Sequence, residues 1–218
     1  MTAHDEHLSV LRAALEEDFP DWKMPPWPGG WVGQIEAALI DAVFSIRARY
    51  GSETTGVRAV VSRWRAETGD RKSMDDLRRL ADPTGRSLTE VAANGSETGG
   101  KKKSDVVQSV AAAMVEAKVL HSADLQDDTK FATAKRIYLS QKGLGKVTWS
   151  YFAMLNGIDD VKADTHVVAY VNRKLGLAGS DRLRAEAVRD LLLKVDHGFE
   201  DRTALDHAIW RRQSKRDV

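Results

Sequence analysis

Cysteine is missing altogether from these 218 residues. That excludes disulfides, thiolate zinc sites, iron–sulfur clusters and cysteine nucleophiles, and it fits a reducing cytosol. No run reaches the roughly 18 apolar residues of a membrane span, so no membrane partner is expected. The N-terminus lacks the basic-then-apolar order of a secretory signal. Alternating apolar and polar residues of useful strand length are missing too. The histidines, six in all, are scattered without zinc-ligand spacing. What is present is ordinary: 42% hydrophobic and 30% charged residues, a globular balance in a chain long enough for one large or two small domains.

The net charge of +1 hides a segregation. Before Trp22, Asp5, Glu6, Glu16, Glu17, Asp18 and Asp21 face only Arg12. From Lys130 to Ile158 there is no acid at all, yet Lys130, Lys135, Arg136, Lys142 and Lys146 fall there. Lys101, Lys102 and Lys103 form a second basic run; Arg211, Arg212, Lys215 and Arg216 form a basic tail. Such clusters are either solvated helix faces or an anion-binding surface.

Apolar residues recur at helical spacing almost throughout. Leu8, Leu11 and Leu15 mark a first helix, ended by the proline-rich FPDWKMPPWPGGW. Ile35, Ala38, Leu39, Ala42, Val43 and Ile46 mark the next, and Val57, Val60, Val61 and Trp64 another. Ser73 with Asp76, and Ser87 with Glu90, have capping-box spacing. NGSETGGKKKS reads as a flexible loop, after which Ser104 or Asp105 can cap a helix through Val107, Val110, Ala111, Met114 and Val115. Asn156-Gly157 is a left-handed helix stop. Asp164 stands at the N-cap of a helix carrying Val167, Val168, Val171 and Leu175. Two further helices follow, marked by Leu183, Ala187, Leu191 and Val195, then by Leu205 and Ile209. The class is all-α.

Between two of these helices lies GLGK. A helix that starts at such a turn offers amides without intrahelical partners and a partial positive charge. Gly143 and Gly145 remove the side chains that would hinder close approach, and Lys146 can add a charge-assisted contact. A site of this kind grips phosphate and reads no base sequence; the alternative is a tight connection with no ligand.

Taken together, GLGKVTWSYFAML and VKADTHVVAYVNR resemble the helix-hairpin-helix DNA glycosylases, the superfamily of endonuclease III, adenine glycosylase and the alkylpurine glycosylases. Gly143, Gly145, Lys146 and Thr148 fall on the family's hairpin pattern. Ala163, Asp164, Thr165 and His166 fall on its Val-Asp-Thr-His motif. The likeness spans about residues 31–213. It implies two helical lobes with a DNA-binding cleft between them. In that plan residues 1–30 pack with the C-terminal lobe, residues 31–155 form the lobe ending in the hairpin, and residues 156–218 carry the catalytic acid. The implied activity is excision of a damaged or mispaired base from double-stranded DNA, by a monomer in the cytoplasm, at the nucleoid.

The resemblance also assigns roles. Asp164 would face the positive charge that builds on the sugar; read from position alone, it only caps its helix. Gly143, Gly145, Lys146, Val147 and Thr148 would hold DNA phosphates. Arg47 or Tyr50, in the break after the helix of Ile35, would fill the gap left by an extruded base; otherwise both are loop-surface residues. Related hairpins hold a monovalent cation, Na+ or K+, which here would fall to the backbone carbonyls of Leu139, Gln141 and Leu144. No other cofactor is implied, and the cluster cysteines of endonuclease III are absent. Gln141-Lys142 departs from the family's Leu-Pro. Val147 stands where strand-cleaving members carry a nucleophilic lysine, which implies no lyase activity. Trp149, Tyr151 and Trp210 are either base-stacking or core residues. Competing readings are a glycosylase-fold DNA-binding protein without activity, a lyase using Lys146, and an unrelated helical regulator.

Overall fold

Thr2 opens the first helix with a reciprocal cap: its hydroxyl accepts from Asp5 N–H (3.2 Å), and Asp5 Oδ2 accepts from Thr2 N–H (2.9 Å). From there the computed structural model describes residues 2–23, 27, 29–48, 51–52, 54–69 and 73–214. Among them the helices are α1 (Ala3–Asp18), α2 (Ile35–Phe44), α3 (Gly56–Thr68), α4 (Arg78–Ala81), α5 (Leu88–Val91), α6 (Lys103–Glu116), α7 (Asp128–Ser140), α8 (Lys146–Leu155), α9 (Thr165–Lys174), α10 (Ala185–Lys194) and α11 (Arg202–Ser214). Two short strands, β1 (Glu97–Thr98) and β2 (Lys101–Lys102), pair antiparallel with Glu97 opposite Lys102 and Thr98 opposite Lys101. The fold is all-α. No helix among the described residues is long and apolar enough to cross a membrane.

The chain divides into two compact units, Gly30–Gly157 and Met1–Gly29 with Ile158–Val218. In the first, α2 is buried on every side, from Ile35 to Phe44, so it is the centre of a core rather than a surface helix with one apolar stripe. Its two acids are buried and partnered. Glu36 accepts from Trp64 Nε1 (2.8 Å) and from Asp76 N–H (3.0 Å), and burial raises its pKa. Asp41 accepts from Trp31 Nε1 (2.9 Å), Ser45 Oγ (2.8 Å) and Tyr151 OH (3.3 Å).

Local expectations fared unevenly. Ser87 and Glu90 form their capping box. Ser73 and Asp76 do not open a helix: Asp76 gives its N–H to Glu36 and receives Arg78 N–H (3.0 Å), and α4 starts at Arg78. Neither Ser104 nor Asp105 caps α6, which begins at Lys103; both face Thr89 Oγ1 instead, at 2.9 and 2.8 Å. The NGSETGGKKKS segment holds the β1–β2 ladder where a flexible loop was expected.

In the second unit, Leu11, Leu15 and Phe19 of the N-terminal segment share a core with Val167, Val171, Leu192 and Ile209. Trp22 sits edge-on to Phe199 at 5.4 Å. At the end of α1, Asp18 receives Tyr170 OH (3.0 Å) and Arg212 (2.6 Å), with Lys174 Nζ at 3.0 Å, so one carboxylate ties α1, α9 and α11. Burial works against its charge, but these partners together hold its pKa below the ordinary value. Replacing it by Asn should lower unfolding stability by about 2 kcal/mol at pH 7, since Arg212 and Lys174 are only partly buried. The depressed pKa places this contribution above the ordinary carboxylate value of 3.8 and withdraws it as pH falls through the folded-state value. Denaturant melts from pH 7 to 3 should therefore converge for wild type and Asp18→Asn at the acid end; parallel curves would contradict the assignment.

Candidate functional site

The turn between α7 and α8 is built from its glycines outward. Gly143 has φ +94°, open to glycine and costly for other residues, and a Cβ there would meet Thr98 Oγ1 at 2.6 Å. Gly145 is the N-cap of α8. Thr148 Oγ1 accepts from Gly145 N–H (3.1 Å) and donates to Gly145 O (2.8 Å). This fixes the helix start and leaves the next amides of the first turn without intrahelical acceptors. Gly143, Gly145, Lys142 and Lys146 are exposed, while Val147 and Thr148 are half-buried. The Gln141 carbonyl accepts Leu144 N–H at 3.1 Å and keeps a second lone pair. No hydrogen bond from a described residue outside the helix falls on the Leu139 or Leu144 carbonyl. Among the described residues no group of three or more His, Asp or Glu could hold a metal.

A partner of this turn escaped the sequence reading. Thr98 Oγ1 donates to the Gly143 carbonyl (2.9 Å), and Gly99, at φ +60°, lies so close to the Lys142 carbonyl that a Cβ would collide with it. The β1–β2 turn is thus docked on the helical hairpin. Lys101 and Lys102 remain exposed, so a second pair of cations accompanies Lys142 and Lys146. Lys103 turns inward. Its ammonium is buried and donates to Phe44 O (3.0 Å) and Ile46 O (2.6 Å), where α2 ends, and burial lowers its pKa. The signal was available: residues 103, 106, 107, 110 and 114 share one helical face, and the other four are apolar.

That lysine also holds the segment carrying Arg47. Arg47 is exposed and left-handed, φ +50°, a conformation that costs a long side chain of order 1 kcal/mol and is met preferentially at functional positions. Tyr50 lies outside the described residues, as do Lys215 and Arg216. Trp149 and Tyr151 are core residues, 2% and 8% exposed. Trp149 packs against Phe131, Tyr138 and Phe152 with ring centres 5.1 to 5.5 Å apart. Trp210 is 40% exposed, stacked on His207 and edge-on to His166. Lys130 is engaged by Asp124 at 2.5 Å, and Arg212 by Asp18.

In the other unit Asp164 is the N-cap of α9. Its Oδ1 accepts from His166 N–H (2.9 Å) and Val167 N–H (3.1 Å). Both bonds fall on the same oxygen; Oδ2 takes no hydrogen bond from the described residues, and the residue is half-buried. The segment leading to it is irregular and tied down by side chains. Asp159 Oδ1 accepts from Arg202 N–H (2.8 Å) and Thr203 N–H (3.0 Å), and Asp160 pairs with Arg189 (2.6 Å). Asp206, on α11, is buried, and its Oδ1 has no hydrogen-bond partner. Burial, reinforced by the charge of Asp164, pushes the Asp206 pKa up to about 8. The sequence offered no sign of this second acid.

A family profile described as "Domain of unknown function (DUF8548)" matches residues 10–214. The chain belongs to this family. No curated protein matches it. Among solved structures, this DUF8548 member is similar to "Structure of a Trapped Endonuclease III-DNA Covalent Intermediate: Estranged-Adenine Complex", with 17% identity and a TM-score of 0.52, over 96% of this chain and 85% of that one. At that identity the likeness speaks for the fold.

The docked turn makes a stability prediction. Gly99→Ala should destabilise the protein by at least about 1 kcal/mol through its positive φ, and further through the collision with Lys142. A thermal melt reads this, and an unchanged Tm would show that the β-turn does not press on the hairpin.

Proposed function

We propose that this chain is a monofunctional DNA glycosylase, which takes a damaged or mispaired base out of duplex DNA and hydrolyses its glycosidic bond. The observation that carries the reading is the division of labour within Asp164. One oxygen serves the helix cap, and the other takes no hydrogen bond from the described residues, so the cap role does not compete with the catalytic one. The all-α fold shared with an endonuclease III–DNA structure supports it.

In this reading the first-turn amides of α8, with Gly143 and Gly145 clearing the approach and Lys146 adding charge, hold phosphate oxygens. Val147 and Thr148 belong to the same contact. Leu139, Gln141 and Leu144 would hold a monovalent cation through their carbonyls, supplying positive charge at the turn. Arg47 fills the space vacated by the extruded nucleotide, whose unstacking costs a few kcal/mol. Asp164 stabilises positive charge developing on the deoxyribose and orients the attacking water. Val147 offers no amine to attack the sugar, so hydrolysis proceeds without strand cleavage.

A panel of duplexes bearing alkylated, oxidised and mispaired bases, assayed for free base, tests the reading. Asp164→Asn should reduce release of the preferred base by about 10²–10⁴-fold while duplex affinity is retained. Lys146→Ala should weaken duplex binding and flatten its salt dependence. Borohydride should trap no protein–DNA adduct. Salt-sensitive binding without release of any base would leave a glycosylase-fold DNA-binding protein, and no binding at all would remove both readings.

A further inference from the structure

We infer that Lys101 is a phosphate contact, presented by the β1–β2 turn on the face that meets the helical hairpin. It extends the grip of the α7–α8 turn along a nucleic-acid backbone, and Lys102 beside it takes no part. The inference rests on the α7–α8 turn being a DNA-binding hairpin, and not on base excision.

The placement follows from the ladder register. Gly99 and Gly100 both have positive φ, +60° and +82°, the combination of a two-residue type I′ hairpin turn. Thr98 and Lys101 are the partners next to that turn, directly opposite each other, and residues so paired share one face of a ladder. Thr98 fixes which face this is, because its side chain is buried and donates to the Gly143 carbonyl (2.9 Å). Lys101 therefore emerges on the side docked against the turn of Lys142 and Lys146, and it is exposed. Lys102 lies on the other face, opposite Glu97. Glu97 is the only acid of the ladder, and its charge offsets that of Lys102.

The surroundings suit a polyanion. Gly99 and Gly143 are taken up by their mutual contact: a Cβ on Gly143 would meet Gly99 N at 2.5 Å. A Cβ on Gly100 or Gly145 would meet nothing within 4 Å, so each turn keeps one open glycine that leaves room for a phosphate to close in. Lys101, Lys142 and Lys146 are exposed, and no acid occurs between Thr98 and Ser104 or between Lys130 and Ile158. Because the two turns touch through backbone atoms, the Cα positions of these three cations are held at a fixed spacing. Lysines on separate mobile loops would lose more freedom on binding a polymer of regularly spaced phosphates. Contacts of this kind hold the backbone and read no sequence.

Anisotropy titrations of the full chain with an undamaged, labelled duplex, from about 50 to 200 mM salt, test the assignment. Lys101→Ala should weaken binding several-fold and flatten the slope of log affinity against log salt by about one. Lys101→Arg should restore both, since a phosphate contact needs the cation. Lys102→Ala should leave both close to wild type, and thermal melts establish that each variant is folded. Unchanged binding by Lys101→Ala, or an equal loss in Lys102→Ala, overturns the inference. If wild type releases a base while Lys101→Ala binds duplex as tightly, the inference falls and the glycosylase reading stands. Weakened binding by Lys101→Ala in a protein that releases no base does the reverse.

Discussion

The irregular segment from Asp159 to Asp164 makes no ladder and no helix, so its shape depends on side chains reaching it from α10 and α11. Asp159 takes the first amides of α11, and Asp160 takes Arg189. Asp164 then begins α9 with both cap bonds on one oxygen. A carboxylate on a loose connection would sample many orientations. This one is defined by the helix it starts and by the helix that anchors its approach, which is the preorganisation that the proposed electrostatic role requires.

The other unit solves a parallel problem with glycine. The turn between α7 and α8 is not left to its own stiffness, although it lacks the proline that would have supplied some. Gly99 and Gly143 bring two backbones into direct contact, and the Thr98 hydroxyl closes it. The same short segment then sends Lys103 inward to the carbonyls that end α2. One stretch of seven residues, 97–103, thereby steadies both the hairpin turn and the strained Arg47, while Lys101 and Lys102 face solvent.

Local chemistry was legible in the sequence, and contacts across the chain were not. Gly143, Gly145 and Thr148 announce a helix start because glycine permissiveness and capping are properties of a few neighbouring residues. Asp164 at the N-cap is legible for the same reason. The docking of Thr98 on Gly143 joins residues 45 apart, and no local pattern encodes it; glycine and lysine density read as flexibility. Lys103 is a different case, since helical spacing places it on the apolar face of α6. Ser73 misled because a capping spacing is cheap to find by chance, and Asp76 was claimed by Glu36 from the buried α2. The aromatic residues divided according to burial, which periodicity constrains only weakly: Trp149 and Tyr151 went to the core and Trp210 to the surface.

Asp164 and Asp206 show why residue type alone could not separate the two acids. Both lie on or at the start of a helix, and both are aspartates with an apolar neighbour. A helix start offers one of them amides that favour negative charge, whereas the interior leaves the other with a buried oxygen that takes no hydrogen bond. Their difference is produced by folding, through the number of donors each environment supplies. A carboxyl that retains its proton near neutrality costs the fold less than a second buried charge would.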